Sequence, residues 1–237
     1  MNPSNACTIC QTEITQSYCP NCGQQMSTSD TTLRSLMSDF FSNLFSLEKS
    51  IFAAMIKIIS NPKELVINYW RGHRKYYPSP GKLLVYALAI AALHMTYVNG
   101  ELLGLSFDLQ GGGGQFLFWS IFFPFLTFTS YICFFRKKMN LAKHVVSIGY
   151  IASCFFIILT VMHDLFIYFG MVPTDSESLA FFIFLFLVFI WNGRVYTSNP
   201  NVIKVVLSFF LQLLVFCLLI GMVLGIISVI DPDRITF

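Results

Sequence analysis

Charged residues are what this chain has least of. Lysine, arginine, aspartate and glutamate together make up 11% of 237 residues. A soluble domain carries about 25%, so a water-facing surface on all sides is excluded. The net charge is only +3, which provides no extended basic face for nucleic acid. The first 32 residues are polar and lack an apolar h-region, so no cleavable signal peptide is expected and the first apolar run would direct insertion. No HExxH, no Ser-His-Asp order and no carboxylate pair stands out. Gly111–Gly114 lacks a following GK[ST] and reads as a flexible connector. No enzymatic activity is expected.

What is present is apolar. Hydrophobic residues make up 55%, with 26 phenylalanines. The mean hydropathy of +0.66 points to an all-α polytopic membrane protein. Five apolar runs read as a five-helix transmembrane bundle: 82–98, 115–135, 144–171, 179–196 and 202–230. About 20 apolar residues are needed to span a bilayer, and the fourth run is the most weakly bounded. A tail, 232–237, follows.

The placement of cations tests this count. Arg71, Arg74, Lys75, Lys82, Arg136, Lys137, Lys138, Lys143, Arg194 and Lys204 fall on loops of one side, and only Arg234 falls on the other. Loops 99–114 and 172–178 carry Glu101, Asp108, Asp175 and Glu177 and no lysine or arginine. The positive-inside asymmetry then gives a cytoplasmic N-terminus and a periplasmic C-terminus.

Ahead of the spans stand Cys7-Thr8-Ile9-Cys10 and Cys19-Pro20-Asn21-Cys22-Gly23, two CxxC knuckles eight residues apart. Cys7, Cys10, Cys19 and Cys22 can surround one structural Zn²⁺ as a tetrahedron, which closes the site to catalysis. Residues 1–24 thus form a small four-cysteine zinc ribbon whose folding energy comes mainly from the metal. The alternative is a pair of CxxC disulfides, which would suit a thiol-redox enzyme. A Ser/Thr/Gln-rich linker, 25–32, follows.

Residues 33–81 read as short cytoplasmic amphipathic helices lying on the membrane or on the bundle. Leu33, Leu36, Met37, Phe40, Phe41, Leu44 and Phe45 share one helical stripe. Asn61-Pro62-Lys63-Glu64 is a helix start with a cap, a first-turn proline and an acid at the dipole's positive end. Gly72 suits a terminator. Arg71, Arg74, Lys75, Tyr76 and Tyr77 then mix cations and aromatic rings, as the headgroup layer selects. They form a membrane-interface hinge that would favour anionic headgroups.

The ordered motifs Cys7-x-x-Cys10, Cys19-x-x-Cys22-Gly23-Gln24, Phe40-Phe41 with Leu47-Glu48-Lys49, Pro62, and Tyr69-x-x-Gly72-x-Arg74-x-x-Tyr77-x-x-Pro80 resemble a family of bacterial membrane proteins, domain of unknown function family 3667, found largely in Bacteroidota. The resemblance covers roughly residues 7–98. It implies a bacterial inner-membrane protein with an N-terminal zinc ribbon, and it implies no activity.

Ionisable groups within apolar helices are candidates for function. His94 lies about 18 Å into the first run, just past the midplane by its count of residues at 1.5 Å each. His163 and Asp164 fall near the outer boundary. Pro124 frees a backbone carbonyl midway along the second run. A proton or cation path through His94, Pro124 and Asp164 is one reading; hydrogen bonding between helices and contact with headgroups is the other. Gly221-x-x-x-Gly225 permits close helix approach, inside the bundle or in a homo-oligomer. Three functions follow in order. The first is a membrane-anchored scaffold or adaptor for a cytoplasmic or membrane protein partner, with the ribbon as docking surface. The second is a small transporter or channel component, and the third a thiol-redox or lipid-modifying enzyme.

Overall fold

The computed structural model describes residues 51–72, 78–97, 101–103, 105–106, 113–137, 139–171, 178–197 and 201–230, together with Cys7, Cys10, Thr12, Glu13, Asn21 and 32–34. Most of the ribbon, most of the linker, most of the 33–45 stripe, the hinge residues Arg74, Lys75, Tyr76 and Tyr77, and the 232–237 tail lie outside these.

The described chain is mainly helical, with one minute hairpin between the third and fourth helices. The helices are α1 (Ile51–Ser60), α2 (Pro62–Trp70), α3 (Pro80–Tyr97), α4 (Gly114–Cys133), α5 (Leu141–Tyr168), α6 (Ser178–Tyr196) and α7 (Val202–Ile230). Between α3 and α4, β1 (Glu101–Leu102) pairs antiparallel with β2 (Leu105–Ser106). Four helices are long and apolar enough to cross a membrane: α4, α5, α6 and α7. α3 is a shorter apolar helix.

Asn61 caps α2 as its sequence suggests. Its Oδ1 accepts from the Glu64 backbone N–H at 3.3 Å, and its Nδ2 donates to Glu64 Oε2 at 3.0 Å. Gly72 ends the helix at φ +95°, a conformation that costs glycine little.

α5 is the axis. Of its apolar span 72% is buried, against 11% for α7. α3, α4 and α6 pack on α5, while α7 packs on α4 and α6 at the periphery. Small residues let α5 take the central place. Gly149 lies against Pro80, where an added Cβ would come within 3.0 Å of the proline's Cβ. Gly193 of α6 is the second such close approach, against Ser208 of α7. The Gly221/Gly225 pair is not a third: a Cβ at either would meet nothing within 4 Å.

The Gly149–Pro80 contact sets the depth of α3. Gly149 is eight residues into α5, so α3 begins about 12 Å in from the N-terminal end of α5. The space beside the first part of α5 is filled by α1 and α2. Tyr69 meets Tyr150 edge-on at 5.7 Å, and the Tyr150 hydroxyl donates to Pro78 O at 2.7 Å. Trp191 Nε1 donates to Ile59 O at 3.0 Å, Arg194 to Ser60 O at 3.3 Å, and Lys63 Nζ to Thr197 O at 2.9 Å.

Ala54, Ile58, Leu65, Val66 and Tyr69 are therefore buried against the bundle, while Phe52 and Ile56 face outward. Of the two places considered for these amphipathic helices, α1 and α2 occupy the bundle, with an apolar edge left outside. Lys82, read from sequence as part of a cationic rim, is 4% exposed, because α3 starts below that rim.

The outward surface is greasy throughout the helical layer. Leu93, Phe128, Phe182, Leu207, Leu214, Leu218 and Met222 are all exposed. Contiguous apolar surface on this scale is untenable in water and normal in hydrocarbon.

Replacing Gly149 by leucine should push α3 off α5 and cost about 1–3 kcal/mol, as overpacking does. Thermal unfolding in detergent should show a fall of several degrees, while Gly221→Leu, the same gain in volume in open space, should leave the midpoint unchanged.

Candidate functional site: two polar clusters at opposite ends of the bundle

Because α3 starts deep, its far end comes level with the far end of α5. His94 is then not at mid-depth, as counting residues from Lys82 suggested. Its Nδ1 lies 2.5 Å from Asp164 Oδ1, with the ring N–H donating to the carboxylate. The His94 side chain is 2% exposed and that of Asp164 is 35% exposed. The ring of His163 stands edge-on to His94 at 5.4 Å between centroids. One ligand atom from each of His94, His163 and Asp164 lies within 4.8 Å of the others. Two of the three sequence candidates for a path are thus brought together. The third is not: Pro124 is exposed on α4 and is no member of this cluster.

A second cluster occupies the opposite end, where the α4, α5 and α6 ends that carry Arg136, Lys137, Lys143 and Arg194 meet. Its hub is Asn192 of α6, fully buried. Asn192 Nδ2 donates to Ser130 Oγ of α4 at 3.0 Å and to Gln212 Oε1 of α7 at 2.7 Å. Its Oδ1 accepts from Ser147 Oγ of α5 at 2.9 Å. Gln212 Nε2 donates in turn to Phe189 O at 3.0 Å and Ser208 O at 3.1 Å. Ser130 Oγ lies 2.8 Å from His144 Nδ1. Since Ser130 accepts from Asn192, its own proton is available for that nitrogen.

The His144 ring stacks on Tyr196 at 4.8 Å and 11°, and Phe134 also stacks on Tyr196, at 4.5 Å. His144 Nε2 is buried and makes no hydrogen bond among the described residues, while the buried Tyr196 hydroxyl sits beside the Ser147 and Ser130 side chains. Four helices are joined through the side chains of this cluster.

Sequence reading missed this cluster. The available signal was chemical: Asn192 and Gln212 are amides inside apolar runs, and an amide in hydrocarbon seeks a partner. His144 was read only as the start of a span.

Of the ribbon cysteines, Cys7 and Cys10 are described; Cys19 and Cys22 lie outside the described residues. Cys7 is buried, and its N–H donates to Thr12 O at 2.8 Å. Cys10 Sγ is 3.2 Å from Thr12 Oγ1. Asn21 Nδ2, from within the second CxxC, donates to the same Thr12 hydroxyl at 3.4 Å. Asn21 is thus beside Thr12, and a four-thiol donor set would suit Zn²⁺. Of the interface residues, Arg71 is exposed just past α2.

A cleft of about 670 Å³ runs between α6 and α7, lined by Phe182, Phe186, Phe209 and Phe216 among others. Apart from the Cys217 thiol, no polar side chain lines it, so it has no chemistry beyond the accommodation of an apolar chain.

No protein-family model matches the chain, and neither does any curated protein or solved structure. The likeness to the bacterial family stays a resemblance of motifs.

The Asn192 hub can be tested directly. Asn192→Leu strands Ser147, Ser130 and Gln212 at once. It should cost about 1–3 kcal/mol, given the modest worth of each interhelical hydrogen bond. Asn192→Asp keeps the acceptor for Ser147 and loses both donations. It should lower the thermal midpoint in detergent as well, whereas Ser147→Ala should cost less than either.

Proposed function

We propose that this protein is a multi-pass membrane scaffold or adaptor that holds a four-cysteine zinc ribbon as a docking surface on the basic side of a helical bundle. The observation that carries this is the seating of α1 and α2. Three side-chain bonds to the backbone, from Trp191, Arg194 and Lys63, join this pair to the end of α6. Lys57 Nζ, 2.7 Å from Glu64 Oε2, joins α1 to α2. α1 and α2, which come after the ribbon and the intervening residues 25–50, are thereby fixed to the bundle. A mount of this kind on the basic side lowers the entropic cost of docking a partner.

In this reading α3 is a fifth span. It crosses with fewer residues because α1 and α2 occupy the layer beside its start. The N-terminus is cytoplasmic and the C-terminus periplasmic in a bacterial inner membrane. The exposed Arg71 and the hinge cations Arg74 and Lys75 meet anionic headgroups. The cytoplasm keeps the four thiols reduced for Zn²⁺.

A second reading, a small cation or proton transporter component, is favoured by one observation. His94 and Asp164 make a direct pair beside His163, and such ionisable groups within apolar helices mark ion pathways. Pro124 has no part in it.

Affinity purification from native membranes, with zinc quantified in the same sample, tests the adaptor. Cys7→Ser/Cys10→Ser should lose one zinc per chain and its stoichiometric protein partner together, while the bundle stays monodisperse. A variant that loses zinc and keeps every partner would remove the ribbon from docking. Unchanged zinc would remove the ribbon itself.

A further inference from the structure

We propose that His94, His163 and Asp164 bind a divalent transition-metal ion of the zinc class at the acid-rich end of the bundle. This does not depend on the adaptor reading. It deepens the cation-path reading of the same residues by naming the ion.

The donor set comes first. Two imidazoles and one carboxylate suit Zn²⁺ and its first-row neighbours, whereas Mg²⁺ and Ca²⁺ prefer all-oxygen shells. Geometry comes second. Bonds of about 2.0–2.2 Å place the donors of a tetrahedral ion roughly 3.4 Å apart. The three ligand atoms already lie within 4.8 Å of one another. The His94–Asp164 contact, at 2.5 Å, opens by about 1 Å to admit an ion on that geometry. Asp164, at 35% side-chain exposure, has room to move; His94, at 2%, does not. The rigid member is thus an imidazole held between two packed helices, and the mobile member is the carboxylate.

Electrostatics comes third. Without an ion, a carboxylate at this depth is supported by the imidazole beside it. A dication replaces that partner with a stronger one. The sequence between α3 and α4 and between α5 and α6 contains Glu101, Asp108, Asp175 and Glu177 and no lysine or arginine. Their field raises the local concentration of cations.

Three protein ligands leave at least one coordination position for water, unlike the closed shell of a four-thiolate ribbon. An open shell suits exchange of the ion rather than permanent structural use. The ion would also tie α3 to α5 at the end opposite the Asn192 hub.

Tag-free, full-length protein in detergent is stripped with chelator, dialysed against a zinc buffer near ~1 µM free Zn²⁺, a level within reach of three-ligand protein sites, and its metal counted by mass spectrometry. His163→Ala and Asp164→Asn should each carry one zinc fewer per chain than the wild type. Asp164→Glu should keep it, and Cys7→Ser/Cys10→Ser should lose only the ribbon's zinc. Cu²⁺ added at one equivalent to the Cys7→Ser/Cys10→Ser protein gives a second readout that needs no change at the site: its electron paramagnetic resonance spectrum should show coupling to imidazole nitrogen.

Equal zinc in the wild type and in folded His163→Ala and Asp164→Asn overturns the proposal. Where those variants do not fold, absence of nitrogen coupling in the copper spectrum overturns it. If zinc is equal yet His94→Ala abolishes a proton flux, the metal site falls while the path reading survives.

Discussion

A polar group inside an apolar layer has to find its partner within the protein, because the surroundings supply none. This constraint decides how the helices are arranged. Helices with greasy sides could pack in many ways, since burying leucine against leucine gains little where lipid is equally apolar. The amide of Asn192 allows far fewer. It serves Ser130, Ser147 and Gln212 together, which lie on three other helices. One side chain therefore fixes the register of α4, α5, α6 and α7 at the basic end. His94 and Asp164 do the same for α3 and α5 at the acidic end.

Small residues supply what hydrogen bonding cannot. Gly149 brings Pro80 against α5 and so sets the depth of α3. A bulky side chain there would press on Pro80 and push α3 away from α5. The ionisable pair at the acidic end is thus positioned by a glycine some 20 Å away along α5, at about 1.5 Å per residue. The vacancy left beside the start of α5 is filled by α1 and α2, which explains why two short helices with polar faces are built into the bundle rather than laid over it.

Much of the fold was legible in the sequence. Each apolar run became a helix with ends displaced by only a few residues, because length and hydropathy are properties of the run itself. The weakly bounded fourth run became the regular helix α6, Ser178–Tyr196. Asn61 and Gly72 act at the ends of α2 as their chemistry directs. The candidate site was half legible. His94 and Asp164 stood out because ionisable groups in apolar runs are costly, and they do meet. Their meeting level was not legible, since it depends on a contact between Gly149 and Pro80 that residue counting cannot see. Nor was the Asn192 network, because helices apolar on all sides carry no periodicity to say which face turns inward. Gly221 and Gly225 show the converse: a spacing associated with packing, on a helix face where a Cβ would meet nothing.

All of this presumes that the helices cross a bilayer with their basic and acidic ends on opposite sides. Single cysteines at Ser29, Gly112, Ser176 and Ser198, exposed one at a time to a membrane-impermeant maleimide on sealed vesicles and mapped by peptide mass spectrometry, test that directly. Ser29→Cys and Ser198→Cys should react from one side, and Gly112→Cys and Ser176→Cys from the other. Reaction of Gly112→Cys from the same side as Ser29→Cys would mean that α3 does not cross, and the opposed basic and acidic ends would fall with it.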